Sequence, residues 1–183
     1  MELMKAIEER RSVRKFTDYV VTDEEIRSIL EAARLSPSWA NTQVWEFVVV
    51  KDKAQIERVV ATFTANNPAT KGAAACSVLI VACAKTGASG CYSGEGMTKF
   101  KEWFMFDMGM AVQNICLRIH ELGLGTVVVG LMFHDKCKEV INLPDGYEVV
   151  AVLPVGKPAV VRNSPGRKEQ SAFVHLDRFS NPY

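Results

Sequence analysis

No Cys-x-x-Cys pair, no glycine-rich loop ending in Gly-Lys-Ser/Thr, no histidines at His-x-x-x-His spacing and no uncharged apolar run of membrane-spanning length occur in these 183 residues. Each absence removes a class. Without paired cysteines there is no dithiol redox motif, and an odd count of five argues against a disulfide framework. Cys76 and Cys83, seven apart on one expected strand, point to opposite faces, so reduced thiols are expected. Cys91 sits in a glycine-rich loop, where a bystander is the better reading than a reactive thiol. Gly87 to Gly96 also lacks the Gly-x-Gly-x-x-Gly order after a strand, which excludes a P-loop or Rossmann assignment. His120, His134 and His175 are scattered, without Ser-His-Asp logic or metal-ligand spacing, so no metal site is expected. Charge of one sign is lacking as well: 22 basic against 21 acidic residues leave a net charge of +1 and no global attraction to nucleic acid or membrane. Met1-Glu2-Leu3 opens a charged amphipathic helix rather than a signal peptide, giving a cytoplasmic expectation by default.

What is present suits one globular domain over residues 1–183, with a C-terminal extension from about residue 157. Hydrophobic residues make up 48% of the chain and charged residues 23%, and no linker divides it. Leu3, Ala6, Ile7 and Arg10 have helical spacing. Thr22-Asp23-Glu24-Glu25 has capping-box form ahead of Ile26, Ile29, Leu30 and Ala33, which predicts a helix. Strands are expected at 46–50, 76–84, 126–131 and 149–155, with helices around Ile56–Phe63, Lys99–Leu122 and Asp135–Ile141. The segment 99–122 is apolar on more than one face, so it belongs in the domain interior or against another subunit. Its Asp107, Gln113 and Asn114 are read as satisfying nearby backbone or each other. Gly123 and Gly125 suit helix termination.

Positive charge is concentrated locally. Arg10, Arg11, Ser12 and Arg14 fall within five residues where the first helix runs out, and extended alternation puts Ser12 and Arg14 on one face. Arginine forks match phosphate oxygens and a serine hydroxyl adds a neutral bond, although cations after a helix also complement its dipole. A second segment, Ser36-Pro37-Ser38-Trp39-Ala40-Asn41-Thr42-Gln43-Val44-Trp45, breaks a helix and reads as a turn. Two tryptophans with an asparagine and a glutamine also suit a planar heteroaromatic ligand.

The Arg-Arg-Ser-x-Arg opening, the Ser-Pro-Ser-x-x-Asn-x-Gln segment, Asp107 to Asn114 with the later Glu121-Leu122-Gly123-Leu124-Gly125-Thr126, and Gly166-Arg167-Lys168 resemble, in order and spacing, the nitroreductase family of flavin mononucleotide (FMN) enzymes. The resemblance implies an α+β fold, an α/β sandwich with a mixed, mainly antiparallel central sheet flanked by helices. It implies that Arg10, Ser12 and Arg14, with Arg11 beside them, meet the phosphate, ribityl chain and pyrimidine end of FMN, and that Arg167 and Lys168 approach from a basic tail that also holds Arg162. Pro37, Ser38, Trp39 and Asn41 would come from the partner of a homodimer. Val127, Val128, Val129 and Gly130 would approach the other side of the ring. FMN would carry the chemistry between NADPH or NADH and a nitroaromatic, quinone or similar small electrophile, without a catalytic side chain. A dehalogenating or flavin-cleaving relative on the same fold is one alternative, and a non-catalytic flavin-binding protein is another. Val129 stands where several members have an acidic residue and Val44 where many have proline. Asn66, Asn67 and Lys71 lie near where longer members place an amide and a lysine.

Overall fold

The computed structural model describes residues 1–160 and 163–183, so Arg162 lies outside the described residues. Its elements run α1 (Leu3–Glu9), α2 (Asp23–Arg34), β1 (Trp45–Val50), α3 (Lys53–Val60), α4 (Thr70–Ala75), β2 (Val78–Lys85), β3 (Cys91–Tyr92), β4 (Glu95–Gly96), α5 (Phe104–Glu121), β5 (Gly125–Thr126), α6 (His134–Val140) and β6 (Tyr147–Gly156).

Strand β2 shows why the chain forms layers. Its residues are apolar without interruption, and a strand sends successive side chains to opposite faces. Val78, Ile80, Ala82 and Ala84 pack with α2 and α5 on one side, while Leu79, Val81 and Cys83 pack with α3, α4 and α6 on the other. Both faces of the sheet are therefore buried. The four strands lie in the order β1-β2-β6-β5, every neighbour antiparallel. A bulge opposite Ala82/Cys83 inserts Val150 and turns both Val150 and Ala151 toward the α2/α5 side. Among the described residues the parallel component is a single bridge, Ser12 to Thr126.

Local chemistry fixes the helices. At the start of α2, Thr22 Oγ1 accepts from Glu25 N–H while the Glu25 carboxylate accepts from Thr22 N–H, a complete capping box. At the end of α5, Gly123 adopts φ +73°, and Leu124 N–H reaches back to the Ile119 carbonyl. That is the glycine-terminated stop expected there. Gly125 has a different use: a Cβ on it would lie 2.5 Å from Val13 Cγ2, so its lack of a side chain admits the arginine segment.

Four expectations change. Helix α5 begins at Phe104 rather than near Lys99, because Lys101 takes φ +61° and Trp103 is held by the preceding loop through the Ser89 carbonyl and Thr98 Oγ1. The glycine-rich loop folds into the β3–β4 hairpin. The strand expected at 126–131 shrinks to β5 plus one bridge between Val129 and Val152. Cys76 caps α4 and lies outside β2, so it and Cys83 do not share a strand.

Candidate functional site

The arginine segment leaves α1 and docks along the β5 edge. Val13 N–H donates to the Thr126 carbonyl at 2.8 Å, Thr17 N–H to the Lys157 carbonyl and Ala159 N–H to the Lys15 carbonyl. This pairing turns Val13 inward and leaves Ser12 and Arg14 exposed, as extended alternation predicts. Beside them opens a cavity of about 930 Å³, within the size range of small-molecule sites. Arg10, Arg11, Ser12, Arg14 and Lys15 line it from the segment, and Asn66, Asn67, Thr70 and Lys71 from the loop and start of α4. Cys116, Ile119 and His120 of α5, with Thr126 of β5, form another wall. Five basic side chains and one acidic residue, Glu9, thus converge in a chain of net charge +1.

Several polar atoms on this wall have no partner among the described residues. Thr126 Oγ1 and Arg11 Nε are buried and unbonded, and Arg11 Nη1 donates to the Arg10 carbonyl. His120 Nε2 is buried too, 3.9 Å from Glu9 Oε2. Burial holds the His120 imidazole below its usual range; Glu9 opposes this, while Arg10 and Arg11 add to it.

The other expected residues are placed differently. The tryptophan turn does not line this cavity: Pro37 and Asn41 are exposed, Ser38 and Trp39 half-buried, and a short 3₁₀ segment spans Trp39–Asn41. Val127 and Val129 point into the core and Val128 faces out, so any ligand contact of Val129 is through its backbone. Gly130 is exposed with open space where a Cβ would be, and its carbonyl lies 3.0 Å from His134 Nε2. Arg167 and Lys168 are exposed on the tail, the former bonded to the carbonyls of Pro165 and Gly166, away from the cavity. Asn66 and Lys71, noted in the sequence near the family's amide and lysine, line the cavity, as does Thr126 at the end of the glycine turn; His120 reaches it without a sequence signal, placed there by helix geometry.

All five cysteines are free and buried. Burial pushes the thiols of Cys76 and Cys83 up to about 12 and those of Cys116 and Cys137 to about 11. The Cys91 sulfur lies 3.5 Å from the Lys101 carbonyl. Among the described residues no group of three or more His, Cys, Asp or Glu is placed to hold a metal, and no helix is long and apolar enough to cross a membrane.

A sequence model described as the nitroreductase family matches residues 7–157, which include the arginine segment, the tryptophan turn and every strand. The chain belongs to the nitroreductase family. A protein of Archaeoglobus fulgidus, provisionally named an NADH dehydrogenase/NAD(P)H nitroreductase, is 30% identical over 99% of this chain and 94% of its own length. An FMN reductase (NADPH) of Bacillus subtilis is 25% identical over 93% of this chain and 71% of its own. The crystal structure of a nitroreductase family protein from Clostridium novyi NT superposes with a TM-score of 0.77 at 26% identity, covering 100% and 97% of the two chains. The cavity of this chain fits FMN by its own donor set: several cations suit a dianionic phosphate, and the unbonded Thr126 hydroxyl and the Asn66 amide suit a polar chain and ring edge, while the Asn67 amide is spent on the Leu131 carbonyl and Ala69 N–H.

Proposed function

We propose that this protein holds FMN in the basic cavity and, as a homodimer, passes hydride from NADPH or NADH to nitroaromatics, quinones or a similar small electrophile. Family membership supports the coarse statement, an FMN-dependent NAD(P)H oxidoreductase. The observation that carries the assignment to this cavity is the convergence of Arg10, Arg11, Ser12, Arg14 and Lys71 on one space in an almost neutral chain.

Bound flavin supplies two-electron chemistry that no side chain offers. The protein's part is binding and electrostatics. Arg10, Arg11 and Ser12 hold the phosphate, with Arg167 and Lys168 brought in from the exposed tail. Arg14 places positive charge where the reduced ring is anionic. The backbone from Val128 through Val129 to Gly130, outside the lining of this chain's cavity, would meet the ring. Pro37, Ser38, Trp39 and Asn41 act on the neighbouring subunit's flavin, which agrees with their distance from this chain's own cavity. Exposed apolar residues support a dimer: Leu3, Met4 and Ile7 on α1, Met105 and Phe106 on α5, and Phe173, Phe179 and Tyr183 on the tail. On this reading the chain is one domain whose segment beyond about residue 157 reaches across the dimer.

Holoprotein mixed anaerobically with NADPH or NADH should lose its oxidised flavin absorbance promptly, and a persistent yellow spectrum would point to storage rather than turnover. Arg10→Ala and Arg14→Ala should each weaken FMN binding about ten- to a hundredfold, the value of a charged hydrogen bond. Unchanged affinity in both, by fluorescence titration, rules the cavity out.

A further inference from the structure

Between Ala40 and Gln43, three of four residues hold positive φ: Ala40 at 45°, Asn41 at 56° and Gln43 at 48°. None is glycine, and a β-carbon makes that region unfavourable. Such a turn keeps its shape only where its surroundings impose it. Internal bonds supply part of the frame: Gln43 N–H donates to Ser38 Oγ at 2.9 Å, and Thr42 Oγ1 donates to the Trp39 carbonyl at 2.8 Å. Two further anchors come from one helix. Asp107 Oδ1 accepts Trp39 N–H at 3.0 Å, and Asn114 Nδ2 donates to Ser36 Oγ at 2.7 Å. Seven residues apart, positions 107 and 114 lie two turns apart on the same face of α5. Asp107 is fully buried, and its second oxygen has no partner among the described residues. Burying a carboxyl with one oxygen unsatisfied is costly, so a carboxyl at this position calls for a use.

We propose that Asp107, assisted by Asn114, is the positioning residue that sets the tryptophan turn of one subunit against the flavin of the other. This rests on the reading that Ser38, Trp39 and Asn41 serve the flavin across the dimer. Helix α5 then belongs to both sites of the dimer. Its first turns anchor what is offered to the neighbour, while Cys116, Ile119 and His120 near its other end line the chain's own cavity.

The test compares wild type with Asp107→Asn, Asp107→Leu and Asn114→Ala by titration with FMN and with riboflavin, by visible circular dichroism of bound flavin and by thermal unfolding. Asn keeps an oxygen acceptor of the same length, so Asp107→Asn should stay within about twofold of wild type, while Asp107→Leu loses about tenfold in FMN affinity and changes the flavin dichroism. Because the turn addresses the ring rather than the phosphate, the FMN-to-riboflavin affinity ratio should be the same in Asp107→Leu as in wild type, whereas Arg10→Ala lowers it. Wild-type affinity and dichroism in Asp107→Leu overturn the proposal, as does an Asp107→Asn variant as weak as Asp107→Leu. If Asp107→Leu does not fold, Asn114→Ala decides: altered flavin dichroism supports the role and an unchanged signal overturns it. A wild type that takes up no FMN removes the cofactor reading, and this inference with it; a wild type that binds FMN beside indifferent variants removes the inference alone.

Discussion

At the residue scale, the cavity combines fixed and titratable positive charge. His120 faces Glu9 of α1 and the guanidinium groups of Arg10 and Arg11, and burial keeps its imidazole neutral in the folded chain to a lower pH than in the unfolded one. The sign follows from proton uptake. Above about pH 6.5 both states are neutral at this position and the folded state carries no penalty. As pH falls below that value the unfolded chain takes up a proton that the folded chain resists, so stability declines. His120→Gln removes this contribution. Urea unfolding without added flavin should therefore show the stability of wild type, relative to His120→Gln, decreasing from about pH 8 to about pH 5. A difference that is flat across that interval would show that His120 titrates alike in both states. Among the sequence-derived candidates, Arg10, Arg11, Ser12 and Arg14 converge as their density suggested. Lys71 joins them only because α4 folds back onto the segment.

At the element scale, that approach of α4 to the arginine segment depends on one missing side chain. A Cβ on Gly72 would overlap the Arg14 carbonyl oxygen and carbon. Gly72→Ala should thus push the segment and α4 apart, destabilising the fold by about 1–3 kcal/mol, the usual range for overpacking. Since Arg14 and Lys71 flank the contact, FMN affinity should fall as well; urea unfolding and flavin titration read the two effects. A variant matching wild type in both would mean that the backbone gives way without consequence. Elements with a strong period or cap were legible in the sequence: α2 from its capping box, α3 from Ile56, Val59 and Val60, β2 and β6 from unbroken apolar runs. Helix α4 was not, because Thr-Lys-Gly-Ala-Ala-Ala has no amphipathic stripe and is fixed by tertiary contact. Strand β5 was overextended, since β-branched residues from Thr126 to Val129 favour a strand but pairing with β6 lapses after Thr126 and returns only at Val129. Asp107 meets a backbone N–H, in line with the sequence reading that these residues satisfy nearby backbone or each other, whereas Asn114 meets the Ser36 hydroxyl; both partners, 68 and 78 residues away, were invisible without the fold.

At the scale of the whole molecule, the inner face of α5 is buried in the domain while Met105 and Phe106 at its start remain uncovered, as do three apolar residues of α1 and the aromatic side chains of the tail. An obligate dimer covering such surfaces buries roughly 2,000 Å² or more. Ultracentrifugation over a dilution series, with flavin absorbance followed beside mass, should show FMN leaving as the dimer dissociates. A stable monomer at full FMN occupancy would remove both the interface and the partner roles of Ser38, Trp39 and Asn41. The burial of every cysteine has its own consequence here. Quinones arylate thiolates, so an enzyme that admits them as acceptors beside an accessible thiolate would be modified by its own substrate before reducing it. Burial holds four of these thiols well above their ordinary range, including Cys116 on the cavity wall, and the Cys91 sulfur is buried 3.5 Å from the Lys101 carbonyl, so little thiolate meets an arriving quinone. The core that stabilises the sheet also keeps the protein from becoming a target of the electrophiles it is proposed to reduce.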